Sequence, residues 1–236
     1  MKAALLTALL EARAGKTPAA VVTELASGMQ TLVAPDAPDG DLQITDTLRR
    51  FVDGALADDR CMTVDIGERR YFIQVFNPPR RIVIVGAVHI GQVLAPMAAL
   101  AGYAVTVIDP RGAFATEARF PGVELNTGWP DDALESIDID RRTAVVTLTH
   151  DPKLDDPALH TALRKSPFYI GALGSKRTHA KRVERLREAG FSDADIGRIH
   201  APVGLDIGAV SPAEIALSIL GEMTQALHRK PPRAAT

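Results

Sequence analysis

Residues 81–91, RIVIVGAVHIG, are the first stretch suited to binding a ligand. A β-branched run leads into Gly86, and Gly91 follows one helical turn further on. That order ends a buried strand in a tight turn and opens a helix whose free amides can hold an anion. A dinucleotide-binding loop carries a third glycine between those two, where the backbone meets a pyrophosphate. Val88 stands at that position, between Ala87 and His89. The residues support two readings of equal weight: an anion loop altered at its middle position, or a structural strand-to-helix turn.

Other polar residues fall at matching places. YAVTVID ends in Asp109-Pro110-Arg111. An acidic residue at that distance past the loop can accept hydrogen bonds from ribose hydroxyls. Arg111 can reach a phosphate or face solvent. The run AVVTLTH ends in Thr149-His150-Asp151. A carboxylate can orient an imidazole for proton transfer, but Asp151 is better read as the cap of the next helix. Ligand contact is then favoured over catalysis for His150. FYIGALG runs into Gly174-Ser175, a small-residue turn entering a helix and a second anion site; GALGSKRTH approaches a P-loop without its spacing. Lys176, Arg177, Lys181, Arg182, Arg185 and Arg187 make that helix basic, either as a solvated face or as a dock for an acidic partner. In GLDIG, Asp206 is expected in a tight place near the sheet edge, bonded to loop amides or aimed at a ligand.

Elements must hold these residues together. The chain has 236 residues, 46% of them hydrophobic, enough for one large core and a smaller one. From Arg80 onward, apolar runs without alternation are separated by helical spacing, the pattern of a parallel sheet covered on both faces. The expected fold is α/β, a Rossmann-like doubly wound parallel sheet over residues 78–236 with a small N-terminal α+β domain over 1–77. The small domain reads as an amphipathic helix, a hairpin at Ser27-Gly28, a helix over 46–58 with Leu48, Phe51, Val52, Ala55 and Leu56 on one face, and a second hairpin at Gly67. Ser211-Pro212-Ala213-Glu214 writes out the start of the last helix. Residues 231–236 are expected to fray.

Bulk properties exclude some classes. A net charge of −2 does not suit a nucleic-acid binder. The one cysteine, Cys61, permits no internal disulfide and fits a cytoplasmic protein. No apolar stretch is long enough to span a bilayer. Neither a His-Glu-x-x-His zinc motif nor a nucleophile elbow is present.

Taken in order, GAVHIGQVLAPMAALAGYAVTVIDPR, FATEARFPG, VVTLTHDPKLDDPAL, YIGALGSKRTHAKRVERL and APVGLDIGAVSPAEIALSIL resemble the XdhC/CoxI family. These are accessory proteins of molybdenum hydroxylases. The resemblance implies a chaperone that holds the molybdenum cofactor, as molybdopterin or its cytosine dinucleotide. It implies help with sulfuration and insertion into the large subunit of a xanthine dehydrogenase- or CO dehydrogenase-type enzyme. A cysteine desulfurase is a secondary candidate partner, and a homodimer is expected. Gly86, Ala87, Val88, His89 and Gly91 would form the cofactor loop, with Asp109, Arg111, Thr149, His150, Asp151, Gly174, Ser175 and Asp206 lining the cleft. The alternative is an NAD-dependent oxidoreductase using Asp109 and His150. Two departures stand out: Val88 replaces the glycine of the common Gly-Ala-Gly-His, and the Gly-Gly-Cys motif of longer members is missing, so no cysteine role passes to Cys61.

Overall fold

The structure is a computed structural model and describes residues 2–35, 37 and 40–228. The segment expected to fray, 231–236, lies outside the described residues. The chain divides into two compact units, Met1–Pro78 and Pro79–Thr236.

The first unit runs α1 (Ala3–Ala14), β1 (Ala19–Glu24), β2 (Gln30–Val33), α2 (Asp46–Asp58), β3 (Met62–Ile66) and β4 (Arg69–Phe76). Its antiparallel sheet has the order β2-β1-β4-β3. Both expected hairpins form, with Gly28 and Gly67 in the left-handed region their turns require. Strand alternation then sends β1 to two cores. Val21 packs with Leu5 and Leu9 of α1, and Val22 packs with Leu48 and Val52 of α2. Thr45 caps α2 by accepting from the Leu48 N–H. Phe51, expected on the apolar face, is 38% exposed; the buried stripe is only Leu48, Val52 and Ala55.

The second unit runs β5 (Arg81–Val85), α3 (His89–Leu100), β6 (Ala104–Ile108), β7 (Glu124–Asn126), α4 (Pro130–Glu135), β8 (Thr143–Thr147), α5 (Pro152–Arg164), β9 (Tyr169–Ala172), α6 (Lys176–Glu188), α7 (Asp193–Ile196), β10 (Ile199–His200) and α8 (Pro212–His228). Its six strands pair in parallel in the order β10-β9-β8-β5-β6-β7. Strand β5 has no polar face because both faces are covered. Ile82 and Ile84 pack with Leu94 of α3 and Ile219 of α8, while Val83 and Val85 pack with Leu159 of α5 and Leu186 of α6. The sheet is doubly wound, as the unbroken apolar runs imply.

Two edge strands, β7 and β10, escape the sequence pattern because they span three and two residues. The last helix starts as written: the Glu214 carboxylate accepts from the Ser211 N–H at 2.8 Å, and Ser211 Oγ accepts from the Glu214 N–H at 3.3 Å. Further along α8, Glu222 accepts from the Tyr169 hydroxyl at 2.6 Å and the Gly204 N–H at 2.8 Å, pinning the loop after β10 to the helix. Among the described residues no helix is long and apolar enough to cross a membrane.

Position in the sheet decides which truncations matter. Ile84→Ala, at a fully buried site in the central strand, should cost about 2–5 kcal/mol. Phe51→Ala should cost about 1 kcal/mol or less. Urea unfolding of the two variants checks the contrast.

Candidate functional site

Strand β5 pairs with β6 on one side and β8 on the other, and the chain leaves β5 and β8 in opposite directions along the sheet. Their carboxyl ends therefore open a crevice at the switch point, where ligands of open α/β sheets bind. Three loops border it: 86–88 after β5, 109–111 after β6 and 148–151 after β8.

The first loop needs its outer glycines. Gly86 has φ +113°, and a Cβ there would lie 2.6 Å from Thr149 Cγ2, so the loops after β5 and β8 touch only because the side chain is absent. At Gly91 a Cβ would meet the Gly86 carbonyl at 3.0 Å, which sets the close helix–strand contact. The middle position is different. Val88 is extended at φ −94°, needs no glycine conformation, and its half-buried side chain packs against the core of Ile84 and Leu94. The first-turn amides of α3 have no carbonyl partner within the helix and are available to an anion. His89, the first residue of the helix, is exposed.

Asp109 has a different job from the ribose contact expected of it. It is fully buried and accepts four hydrogen bonds: from the Ala87 N–H at 2.8 Å, the Arg111 N–H at 2.9 Å, Arg111 Nε at 2.9 Å and Arg111 Nη2 at 2.7 Å. Those fill the acceptor positions of a carboxylate. Burial pushes its pKa up, but the bonds from Arg111 and Ala87 outweigh burial and hold it below the usual aspartate value. Arg111 is raised chiefly by Asp109, and it also feels Asp151 and Asp155. It stacks on Phe114 at 4.8 Å.

The third loop is the most constrained. His150 sits at φ +61°, a left-handed conformation that a histidine adopts at a cost, and its side chain is exposed. Asp151 caps α5, accepting from the Lys153 N–H at 3.0 Å; no hydrogen bond joins it to His150. Thr149 donates to Asp155 Oδ1 at 2.6 Å and accepts from the Asp151 N–H at 3.1 Å.

Sequence reasoning missed Asp155 and misread Arg182. The side chains of both are 2% exposed, and they face each other at 3.8 Å. Arg182 is no part of a solvated face: it turns inward from α6 beside Leu186 and donates to the Leu173 carbonyl at 2.9 Å. The signal was present, because Asp155 shares the stripe of Leu159 and Ala162, and Arg182 that of Leu186. Burial raises the Asp155 pKa and lowers that of Arg182. Beside this pair lies a cleft of about 190 Å³, lined by His150, Pro152 and Asp155 from one side and five residues of α6 from the other.

The remaining candidates are scattered along the same edge. Gly174, at φ +139°, closes on Thr178, and Ser175 caps α6. Asp206 does not occupy a tight place. It is exposed, because the loop is anchored earlier by Val203 in the core and by Gly204 against Ser218, leaving 206–208 outside.

Replacing the locked carboxylate tests this arrangement. Asp109→Asn turns an acceptor toward donors and should cost about 2–3 kcal/mol at neutral pH. Because the folded pKa is lowered, the contribution is complete above about pH 4 and fades as pH falls through the folded value. Urea titrations of both proteins should show a gap that is flat near neutrality and closes in acid.

Residues 82–223 match the family model described as the XdhC Rossmann domain. The chain is 36% identical to the molybdenum cofactor insertion chaperone PaoD of Escherichia coli, over 66% of this chain and 43% of that protein. It is 34% identical to a probable xanthine dehydrogenase subunit of Bacillus subtilis, over 67% of this chain and 46% of that one. It thus spans less than half the length of these curated relatives. A solved Bacillus halodurans structure, described as a xanthine dehydrogenase, matches 97% of this chain and 66% of its own with TM-score 0.74 and 25% identity. The family match covers more than half of the chain, built on the sheet and loops that shape the crevice, and the chain belongs to the XdhC family.

Proposed function

We propose that this protein is a molybdenum-cofactor-binding accessory protein that holds the cofactor at the switch-point crevice and delivers it to a molybdenum hydroxylase, with no turnover of its own. The observation that carries the reading is the crevice itself: backbone amides at the start of α3, a loop after β8 that closes on Gly86, and a cation-lined cleft beside it. A pterin bearing a phosphate is a flat polar group with an anionic tail, and these features suit it. The molybdenum it carries would do its hydroxylation chemistry in the recipient enzyme.

The residues divide the task. Ala87 and Arg111, locked to Asp109, hold the first loop in shape. His89, Ile90 and Gly91 offer amides. His150, exposed in a strained conformation at the rim, contacts the ligand. Thr149 and Asp151 fix that loop, and Gly174 with Ser175 shape the next. Assistance with sulfuration, a cysteine desulfurase partner, the choice between molybdopterin and its cytosine dinucleotide, a homodimer and a cytoplasmic location belong to the same proposal. The NAD reading loses support because Asp109, its ribose acceptor, already accepts four hydrogen bonds.

The test uses full-length protein from a host that makes the cofactor. Protein is denatured and oxidised, and released pterin is measured by fluorescence with NAD in the same extract. The expected result is pterin approaching one per chain and little NAD. His150→Gly relieves the strained backbone, so it should leave stability unchanged or raise it by up to about 1 kcal/mol while lowering pterin content. Bound NAD without pterin, or equal pterin in the variant, would overturn the respective assignment.

A further inference from the structure

The cleft between the start of α5 and the side of α6 carries positive charge that the rest of the fold uses only in part. Its α6 wall is Arg177, Thr178, Lys181, Arg182 and Arg185. These recur one turn apart, so they form a single stripe. Arg177, Lys181 and Arg185 stand at successive i, i+4 positions, a spacing at which like charges destabilise a helix. Arg185 is answered by Asp156, at 2.5 Å and 2.9 Å. Arg177 and Lys181 are exposed and have no ion-pair partner among the described residues.

A second observation comes from beneath. Arg182 lines the cleft with a side chain only 2% exposed, and its Nε and Nη1 have no hydrogen-bond partner among the described residues. A buried guanidinium normally has its donors matched. The one carboxylate in the lining, Asp155, turns Oδ2 toward Arg182 at 3.8 Å, too far for a hydrogen bond and without another partner among the described residues, while its Oδ1 is tied to Thr149. Four cations and a histidine thus face one restrained carboxylate. The cleft, at about 190 Å³, is smaller than the roughly 300–1,000 Å³ that hold a whole ligand, so it fits one group of a ligand rather than all of it.

The geometry points to a phosphate-binding subsite in the α5–α6 cleft, with Arg177, Lys181 and Arg182 as its cations and Thr178 and His150 as further hydrogen-bonding side chains. His150 belongs to both the crevice loop and this cleft, which puts the phosphate beside the crevice. That the phosphate is the cofactor's rests on the function proposed above; the subsite itself does not.

Inorganic phosphate is the probe, titrated into full-length cofactor-free protein by calorimetry. Arg177→Glu and Lys181→Glu change exposed side chains, and unfolding curves check that the fold survives. The expected result is saturable binding weakened at least about tenfold in each variant, an energy of about 1.4 kcal/mol, and restored by Lys181→Arg. No saturable binding, or equal affinity in wild type and both variants, overturns the subsite. Pterin content of the same variants separates the two claims. Phosphate binding that depends on Lys181, in a wild type that carries no pterin, leaves the subsite standing and removes the cofactor function. Pterin retained in full when phosphate binding is lost removes the link between them.

Discussion

The Asp109 carboxylate is buried beneath the crevice, and the loops around it are arranged on its account. An ionised group there is tolerable only with its acceptors filled. Ala87 supplies one donor from the loop after β5, and Arg111 supplies three from the loop after β6. The bonds therefore do more than neutralise a charge. They fix where β5 ends and α3 begins, and they hold Arg111 at the rim, where the charges of the β8 loop also act on it.

The other side of the crevice is fixed by contact and strain. Gly86 lets Thr149 approach to a distance no Cβ would allow. Thr149 is in turn bonded to Asp155, which faces the buried Arg182. A continuous set of contacts runs from the first loop through Thr149 and Asp155 into α6. His150 stands on this set in a left-handed conformation, held there by its neighbours. A strained, exposed side chain at such a position is suited to meeting a ligand without reorganising first.

Much of this was legible in the sequence. Unbroken runs such as IVIV imply strands covered on both faces, and the outer glycines imply the turn and the close helix. Asp151 was readable as a cap from its place before Pro152. What stayed hidden has physical reasons. The roles of Asp109 and Arg182 depend on which partners the fold brings to them, and a carboxylate or guanidinium has the same letter whether it is saturated or free. The missing glycine at Val88 looked like a defect because the motif implies a side chain at the ligand; in the fold that side chain packs against the core. Asp206 looked confined by its glycines, yet Gly204 anchors the loop and leaves the aspartate outside.

On the proposed function, the switch-point crevice with its three interlocked loops holds the cofactor. Amide hydrogen exchange, compared between cofactor-loaded and cofactor-free protein, tests it most directly because local protection reports local ordering. The account predicts slowed exchange over residues 87–91 and 149–151, with the β2-β1-β4-β3 sheet unchanged. Protection confined to that sheet, or spread evenly through the chain with no excess at the two loops, would contradict it.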